Sequence, residues 1–177
     1  MSPTIDFPTP EEYSTFNATY INLTRDSGDI IAMLTRQPEE IRQLLGALTD
    51  AQALFRPAPA EWSIKEVLGH IIDTERIFFY RALCISRGEN QPLPGFDQDE
   101  YVQGTHFDEY SLQELIQEFE LTRQSNLITI RHISVEASQR TGTASNHTIS
   151  VRSLIRMLAG HVRWHIESLQ SVYLSAL

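Results

Sequence analysis

The sequence predicts a single all-α domain of the four-helix-bundle class. Four segments of about 20 to 25 residues carry apolar side chains at helical spacing, and no stretch shows the strict alternation of a strand. The chain has 177 residues, of which 41% are hydrophobic and 21% charged. This composition is enough to close one core, so the fold requires neither disulfides nor a structural metal.

The first part of the chain is predicted to form an arm and one long helix. Residues 1–25 contain spaced aromatic side chains, which indicate a short helix or a packed arm. The first bundle helix is predicted over 29–48. Pro38 lies inside it, and an interior proline removes a backbone hydrogen bond and crowds the preceding turn. We therefore expect this helix to be kinked.

The second and third helices are predicted over 63–87 and 111–134. Both begin with a Ser-x-x-Glu capping box, at Ser63 and Ser111, in which the hydroxyl and the carboxylate pair with free backbone amides. Asn126 interrupts the apolar stripe of the third helix together with a threonine one turn earlier. This break predicts a cavity or a hydrated seam.

The fourth helix, predicted over 150–174, carries two histidines on its apolar stripe. His161 and His165 are four residues apart, so their side chains lie on one face. Burying histidine costs free energy unless its ring nitrogens find partners. A shared metal ion would supply partners for both rings. The alternative is an ordinary pair without metal, because this spacing is common on helices.

His70 lies in an apolar run of the second helix, beside the inward-facing Ile71. Taken alone, it is typical of a core histidine with satisfied nitrogens. As a third imidazole available to His161 and His165, it is a candidate ligand. Three histidines leave coordination positions open for water or substrate, which is the catalytic pattern. Such a site suits divalent zinc, nickel or iron, so the metal's identity stays open.

Two carboxylates of the second helix are candidates for orienting an imidazole or accepting a proton. Glu66 precedes His70 by four residues and Asp73 follows it by three, so both can lie on its side of the helix. Each also has a plainer interpretation. Glu66 completes the capping box, and Asp73 is more typical of an exposed carboxylate.

The connection 88–109 is long for a compact domain, and connections of this length are often functional. It contains Phe96, Asp97, Tyr101 and His106. Two roles are open: the segment covers the metal pocket, or it is a crossover that covers only the bundle.

Charge and cysteine content limit the partners. The formal net charge is −9, and no clustered basic surface is apparent, so nucleic acid is not expected to bind. Cys84 is the only cysteine, which excludes an internal disulfide and favours a reducing, cytoplasmic location. No secretory pattern and no apolar run of ~18 residues are found, so no membrane association is expected.

Residues 59–76, 79–82, 93–97 and 160–165 together resemble motifs of the DinB/YfiT-like superfamily, in the order in which the family has them. The last of these stretches reads Gly-His-Val-Arg-Trp-His. The resemblance implies a four-helix bundle with up-down-down-up order and a crossover connection. It also implies a divalent metal held by three histidines, which in this sequence are His70, His161 and His165.

The family includes metal-dependent hydrolases, bacillithiol S-transferases and a mycothiol-dependent isomerase, and its bundles are often dimeric. The resemblance therefore implies a homodimeric metalloenzyme that activates water or a low-molecular-weight thiol against a small-molecule substrate, as a hydrolase or a thiol S-transferase. The alternative is a non-catalytic metal- or small-ligand-binding module of the stress response.

Overall fold

The computed structural model describes residues 5–177, so the first four residues of the predicted arm lie outside the described part. Short 3₁₀ turns occur at Pro10–Glu12, Phe107–Glu109 and Leu174–Ala176. None of the helices in 5–177 is long and apolar enough to cross a bilayer. Eight α-helices are present in this part: α1 (Thr15–Asn22), α2 (Ile30–Leu45), α3 (Asp50–Ala53), α4 (Ile64–Ser86), α5 (Gln98–Gly104), α6 (Leu112–Ile130), α7 (Val135–Ser138) and α8 (Val151–Ser168).

Helices α2, α4, α6 and α8 form the bundle. Both α2 and α4 pack against α6 and α8, and α1 packs on the outside of α8. The all-α, four-helix class is therefore confirmed, while the up-down-down-up order stays a prediction. The arm predicted before position 25 contains α1, and α8 continues beyond Ser168 into a π-helical turn at Leu169–Tyr173.

The capping boxes at the starts of α4 and α6 are both formed. Ser63 accepts a hydrogen bond from the amide of Glu66, whose carboxylate accepts one from the amide of Ser63. Ser111 and Glu114 make the same reciprocal pair. These local contacts set the start of each helix, and in α4 they place His70 two turns into the bundle.

Residues 141–150 form a β-hairpin, so the prediction of a chain without strands is wrong here. Strands β1 (Thr141–Ala144) and β2 (His147–Ser150) pair antiparallel. Ser145 and Asn146 between them have φ of 51° and 64°, as a two-residue type I′ turn requires. Strands of four residues are too short to give a recognisable alternation in the sequence.

Helix α2 passes through Pro38 without interruption. A proline has no amide hydrogen, so the carbonyl of Leu34, one turn earlier, has no helical partner. The guanidinium of Arg123 on α6 donates to this carbonyl, with Nη1 3.1 Å from the oxygen. The interior proline therefore creates an acceptor that a buried side chain of another helix uses.

Arg123 is the centre of a buried polar network that joins all four bundle helices. It is fully buried and donates from Nε and Nη2 to both carboxylate oxygens of Glu75, each at 2.8 Å. Asn126 donates to the same carboxylate, and Gln37 accepts from Arg123 while donating to the carbonyl of Ala159 on α8. The polar break predicted in α6 thus faces this network, not a cavity.

Candidate metal centre

Three histidine side chains from two helices meet inside the bundle. His70 on α4 and His161 on α8 approach with their Nε2 atoms 3.0 Å apart, and Nε2 of His165 lies 3.1 Å from Nε2 of His161. One ring nitrogen of each histidine lies within 4.8 Å of the others, and all three residues are buried. The structure therefore brings together the three predicted ligands.

Two glycines, each directly before a histidine, allow this close packing. A Cβ at Gly69 would lie 2.5 Å from the ring of Phe107. A Cβ at Gly160 would lie 1.9 Å from the carbonyl oxygen of Tyr20, so α8 touches the backbone of α1 at this point. The missing side chains thus let neighbouring segments close directly over the histidines.

Replacing Gly160 with alanine is expected to destabilise the fold by about 1–3 kcal/mol. The new methyl group would overlap a backbone carbonyl, which cannot move aside as a side chain can, and this outweighs a gain of up to about 1 kcal/mol in helix propensity. Urea unfolding measures the change. Gly104→Ala is the matched control, since its Cβ would meet no atom within 4 Å, and it should leave stability unchanged or slightly higher. Equal effects of the two substitutions would contradict the close contact.

Aromatic rings enclose the histidine cluster. The ring of Trp62 lies 4.9 Å from that of His70, and the ring of Trp164 lies 4.8 Å from that of His165. Tyr20 packs edge-on against His161 at 5.2 Å. These contacts remove water from the imidazoles and hold their ring planes in place.

Burial keeps the three imidazoles neutral. Desolvation lowers the pKa of His70 to about 4, and desolvation together with the nearby His70 lowers that of His165 to about 3. Desolvation also lowers the pKa of His161 well below its ordinary value, with further contributions from the other two histidines and Arg123. Neutral rings at pH 7 are the form in which histidine binds a metal.

The same pKa shifts predict acid sensitivity of the metal-free protein. Well above pH 6.5 the rings are neutral in both the folded and the unfolded chain, so they add no pH dependence there. As the pH falls from 6.5 towards 4, only the unfolded chain takes up these protons, and stability is lost. By pH 5 the loss is on the order of 2 kcal/mol for each of His70 and His165.

Urea unfolding at pH 7.5 and pH 5 in the presence of a chelator measures this loss. His70→Gln should reduce the pH-dependent loss, whereas His132→Gln, which alters an exposed histidine, should not. The same pH dependence in both variants would contradict the assignment.

The donor set fits a metal ion better than it fits a hydrogen-bonded cluster. Nε2 of His161 faces two other Nε2 atoms at 3.0 and 3.1 Å. A neutral imidazole nitrogen either donates one proton or accepts at one lone pair, so it pairs well with only one of them. Nitrogens at these separations can all reach one ion at about 2.1 Å.

The two predicted carboxylates point to other partners. Glu66 contacts Arg56 and the amide of Ser63, while Asp73 lies 3.8 Å from Arg76. Among the hydrogen bonds of residues 5–177, neither carboxylate contacts a histidine nitrogen, so their role at the site stays a prediction without a supporting contact.

The hydroxyl of Thr74, one turn after His70, lies 3.5 Å from Nδ1 of that ring instead. Its spacing of four residues from His70 already places it on the same face of α4 in the sequence.

The cluster lies between two clefts of about 480 and 570 Å³. His70 and His161 line the first cleft, and His165 lines the second. Tyr20 and residues 98–99 line both and so form the wall between them. Two roles were open for the connection 88–109, and its presence in both clefts supports the role of covering the metal pocket.

Two residues that line the clefts were not identified as site residues from the sequence. Tyr20 belongs to the arm, and only the contact of α1 with α8 brings it to His161. Arg81 lines the first cleft. Arg81 follows His70 by eleven residues, which is close to three full helical turns, so both lie on the same face of α4. This spacing is the feature of the sequence that could have identified Arg81.

Comparisons with known proteins agree with the fold. The chain is similar to YfiT from Bacillus subtilis, a probable metal-dependent hydrolase with an unusual four-helix bundle topology, at 13% identity and a TM-score of 0.77. The alignment covers 97% of this chain and 94% of that one. No match is found among the curated proteins. A family model of the DinB superfamily matches residues 33–169. The chain therefore belongs to the DinB superfamily.

Proposed function

We propose that this protein is a divalent-metal-dependent enzyme in which His70, His161 and His165 hold the ion. The observation that carries the proposal is the convergence of three buried, neutral imidazoles between two clefts. Zinc, nickel and iron all suit such a donor set. When bound, the ion supplies Lewis acidity that brings the pKa of a water or a thiol towards neutrality.

The residues of the chain have separate parts in this proposal. The imidazoles enter as neutral ligands, because their burial keeps the pKa of each ring below its ordinary value. Thr74 orients the ring of His70 through Nδ1. Trp62, Trp164 and Tyr20 pack against the imidazole rings and limit their contact with water.

Hydrolysis of a small molecule is the reaction that we favour. YfiT, whose fold is similar, is described as a probable metal-dependent hydrolase. The first cleft has room for a small substrate beside His70 and His161, and its volume of about 480 Å³ is typical of small-molecule sites.

A thiol S-transferase is the second candidate, and the presence of two clefts favours it. A transferase must bind a thiol and an electrophile at the same time. The electrophile then lies next to the sulfur atom of the thiol. His165 faces one cleft, and His70 and His161 face the other. The two substrates could therefore approach the cluster from opposite sides of Tyr20.

Two assays on metal-stripped and reconstituted protein test the function. A panel of p-nitrophenyl esters tests hydrolysis, and conjugation of monochlorobimane with several low-molecular-weight thiols tests transfer. We expect a rate that depends on added metal in the first assay. A metal-dependent rate only with a thiol would replace hydrolase with transferase. Bound metal with no rate in either assay would favour the non-catalytic binding module.

We also propose a cytoplasmic homodimer. Two large apolar side chains on the outer face of α6 support the dimer, since Leu121 is 57% and Ile128 65% exposed, two turns apart. The unpaired thiol of Cys84 suits a reducing compartment. Light scattering of the purified protein tests the dimer, and a monomer at micromolar concentration would contradict it.

A further inference from the structure

A buried arginine that lines the first cleft has no counter-ion among the described residues. Three arginines are buried in residues 5–177. Arg123 pairs with Glu75, and Arg156 donates to main-chain carbonyls of Thr24 and Ile5 inside the protein. Arg81 is 6% exposed, lines the cleft, and has no carboxylate within ion-pair distance among the described residues.

Within residues 5–177, one nitrogen of the Arg81 guanidinium donates hydrogen bonds and the other two do not. Nη2 donates to the carbonyl of Pro94 at 2.7 Å and to Oγ of Ser145 at 3.0 Å. Nε and Nη1 have no acceptor within the described residues, yet they are not sealed from solvent. Desolvation lowers the pKa of Arg81. Three N–H donors of this cleft residue therefore have no partner among residues 5–177.

The surroundings hold Arg81 in this position. Leu93 pairs with the hairpin, because its amide donates to the carbonyl of Thr143 and its carbonyl accepts from the amide of Ser145. This pairing brings the two acceptors, from the connection 88–109 and from the hairpin turn, together at Nη2. The ring of Phe96 covers the guanidinium at 5.8 Å. Such support reduces the cost of binding a ligand, since the cation is already oriented.

Arg81 lines the same cleft as His70 and His161, two of the three histidines. Arg81 follows His70 by eleven residues on α4, which places their Cα atoms roughly 16 Å apart along one helix face. The arginine side chain leans towards the helix N-terminus and shortens this gap. Phe78, Met157 and Ile149 add apolar surface to this cleft.

We propose that Arg81 binds the carboxylate of a small-molecule substrate whose other end reaches the histidine cluster across an apolar segment. This inference rests on the proposed function, because it defines the substrate class of the same cleft. Asp97 and Asp99 line the cleft as well, so a group with two negative charges is repelled more strongly than a carboxylate. The ligand class is an amphiphilic carboxylic acid.

Titration of the full-length, ¹⁵N-labelled protein with hexanoate and with its neutral analogue hexanamide tests the proposal by NMR. The titration is run at pH 7.5 with a chelator, so that a carboxylate cannot bind to metal. We expect hexanoate to bind at least tenfold more tightly than hexanamide and to shift the Nε–H signal of Arg81. Arg81→Gln should remove this preference. Arg87→Gln removes an exposed charge from the end of the same helix and should keep it.

Equal binding of the two probes, or an unmoved Arg81 signal when hexanoate binds, would overturn the proposal. The signal in the unaltered protein decides the question even if Arg81→Gln does not fold. These measurements need no metal, so they test the carboxylate site independently of the proposed function. A failure to bind metal would not contradict the carboxylate site. A failure to bind hexanoate would not contradict the metal site.

Discussion

Replacing His161 with alanine will weaken divalent metal binding by roughly 10²–10³-fold. Structural zinc sites with four ligands bind with about 10–16 kcal/mol, or about 2.5–4 kcal/mol for each ligand. Nε2 of His161 lies 3.0 Å from that of His70 and 3.1 Å from that of His165, so it is central to the cluster. Competition titration with a chromophoric chelator measures the dissociation constant.

His147→Ala is the matched control for this substitution. His147 is exposed and lines the first cleft, but it does not belong to the histidine cluster. Its removal should change metal affinity by less than a factor of two or three. The double variant His161→Ala, His165→Ala should bind no metal at stoichiometric concentration. Metal retained by the double variant would show that the ion binds elsewhere.

Replacing Arg123 with methionine will cost about 3–5 kcal/mol of folding stability. The substitution leaves the carboxylate of Glu75 buried without a cation, and an unpaired buried charge is far more costly than a lost surface ion pair. It also leaves the carbonyl of Leu34, beside Pro38, without its donor. Urea unfolding at pH 7.5 measures the change.

A double-mutant cycle separates the lost pair from lost packing. Glu75→Leu combined with Arg123→Met removes both charges. The double variant should therefore lose less stability than the two single variants lose in sum. Arg36→Ala is the control, because its contact with Glu40 is exposed and 3.9 Å long, and it should change stability by less than about 0.5 kcal/mol. A similarly small effect of Arg123→Met would contradict a structural role for the network.

Local signals in the sequence predicted the bundle well. The Ser-x-x-Glu pairs at Ser63 and Ser111 depend on residues three apart, and the structure forms both. The histidines were also visible, because His161 and His165 fall on a buried stripe at helical spacing and His70 lies in an apolar run. Each of these features can be recognised without knowing how the helices pack.

Features that depend on distant partners were not predictable. Glu75 and Arg123 are 48 residues apart, and each alone resembles an ordinary surface charge on a helix. The roles of Tyr20 and Arg81 appear only when α1, the hairpin and the connection 88–109 close around α4 and α8. Glu66 was an understandable candidate, but its carboxylate is occupied by Arg56 and the helix cap.

Anomalous diffraction from crystals of the reconstituted protein, recorded on both sides of the zinc, nickel and iron absorption edges, tests the central claim most directly. The proposed site requires one anomalous peak within about 2.0–2.2 Å of Nε2 of His70, His161 and His165. The energy at which the peak appears identifies the metal. A peak at any other residues, or none at the histidine cluster after reconstitution, would contradict the proposed three-histidine centre.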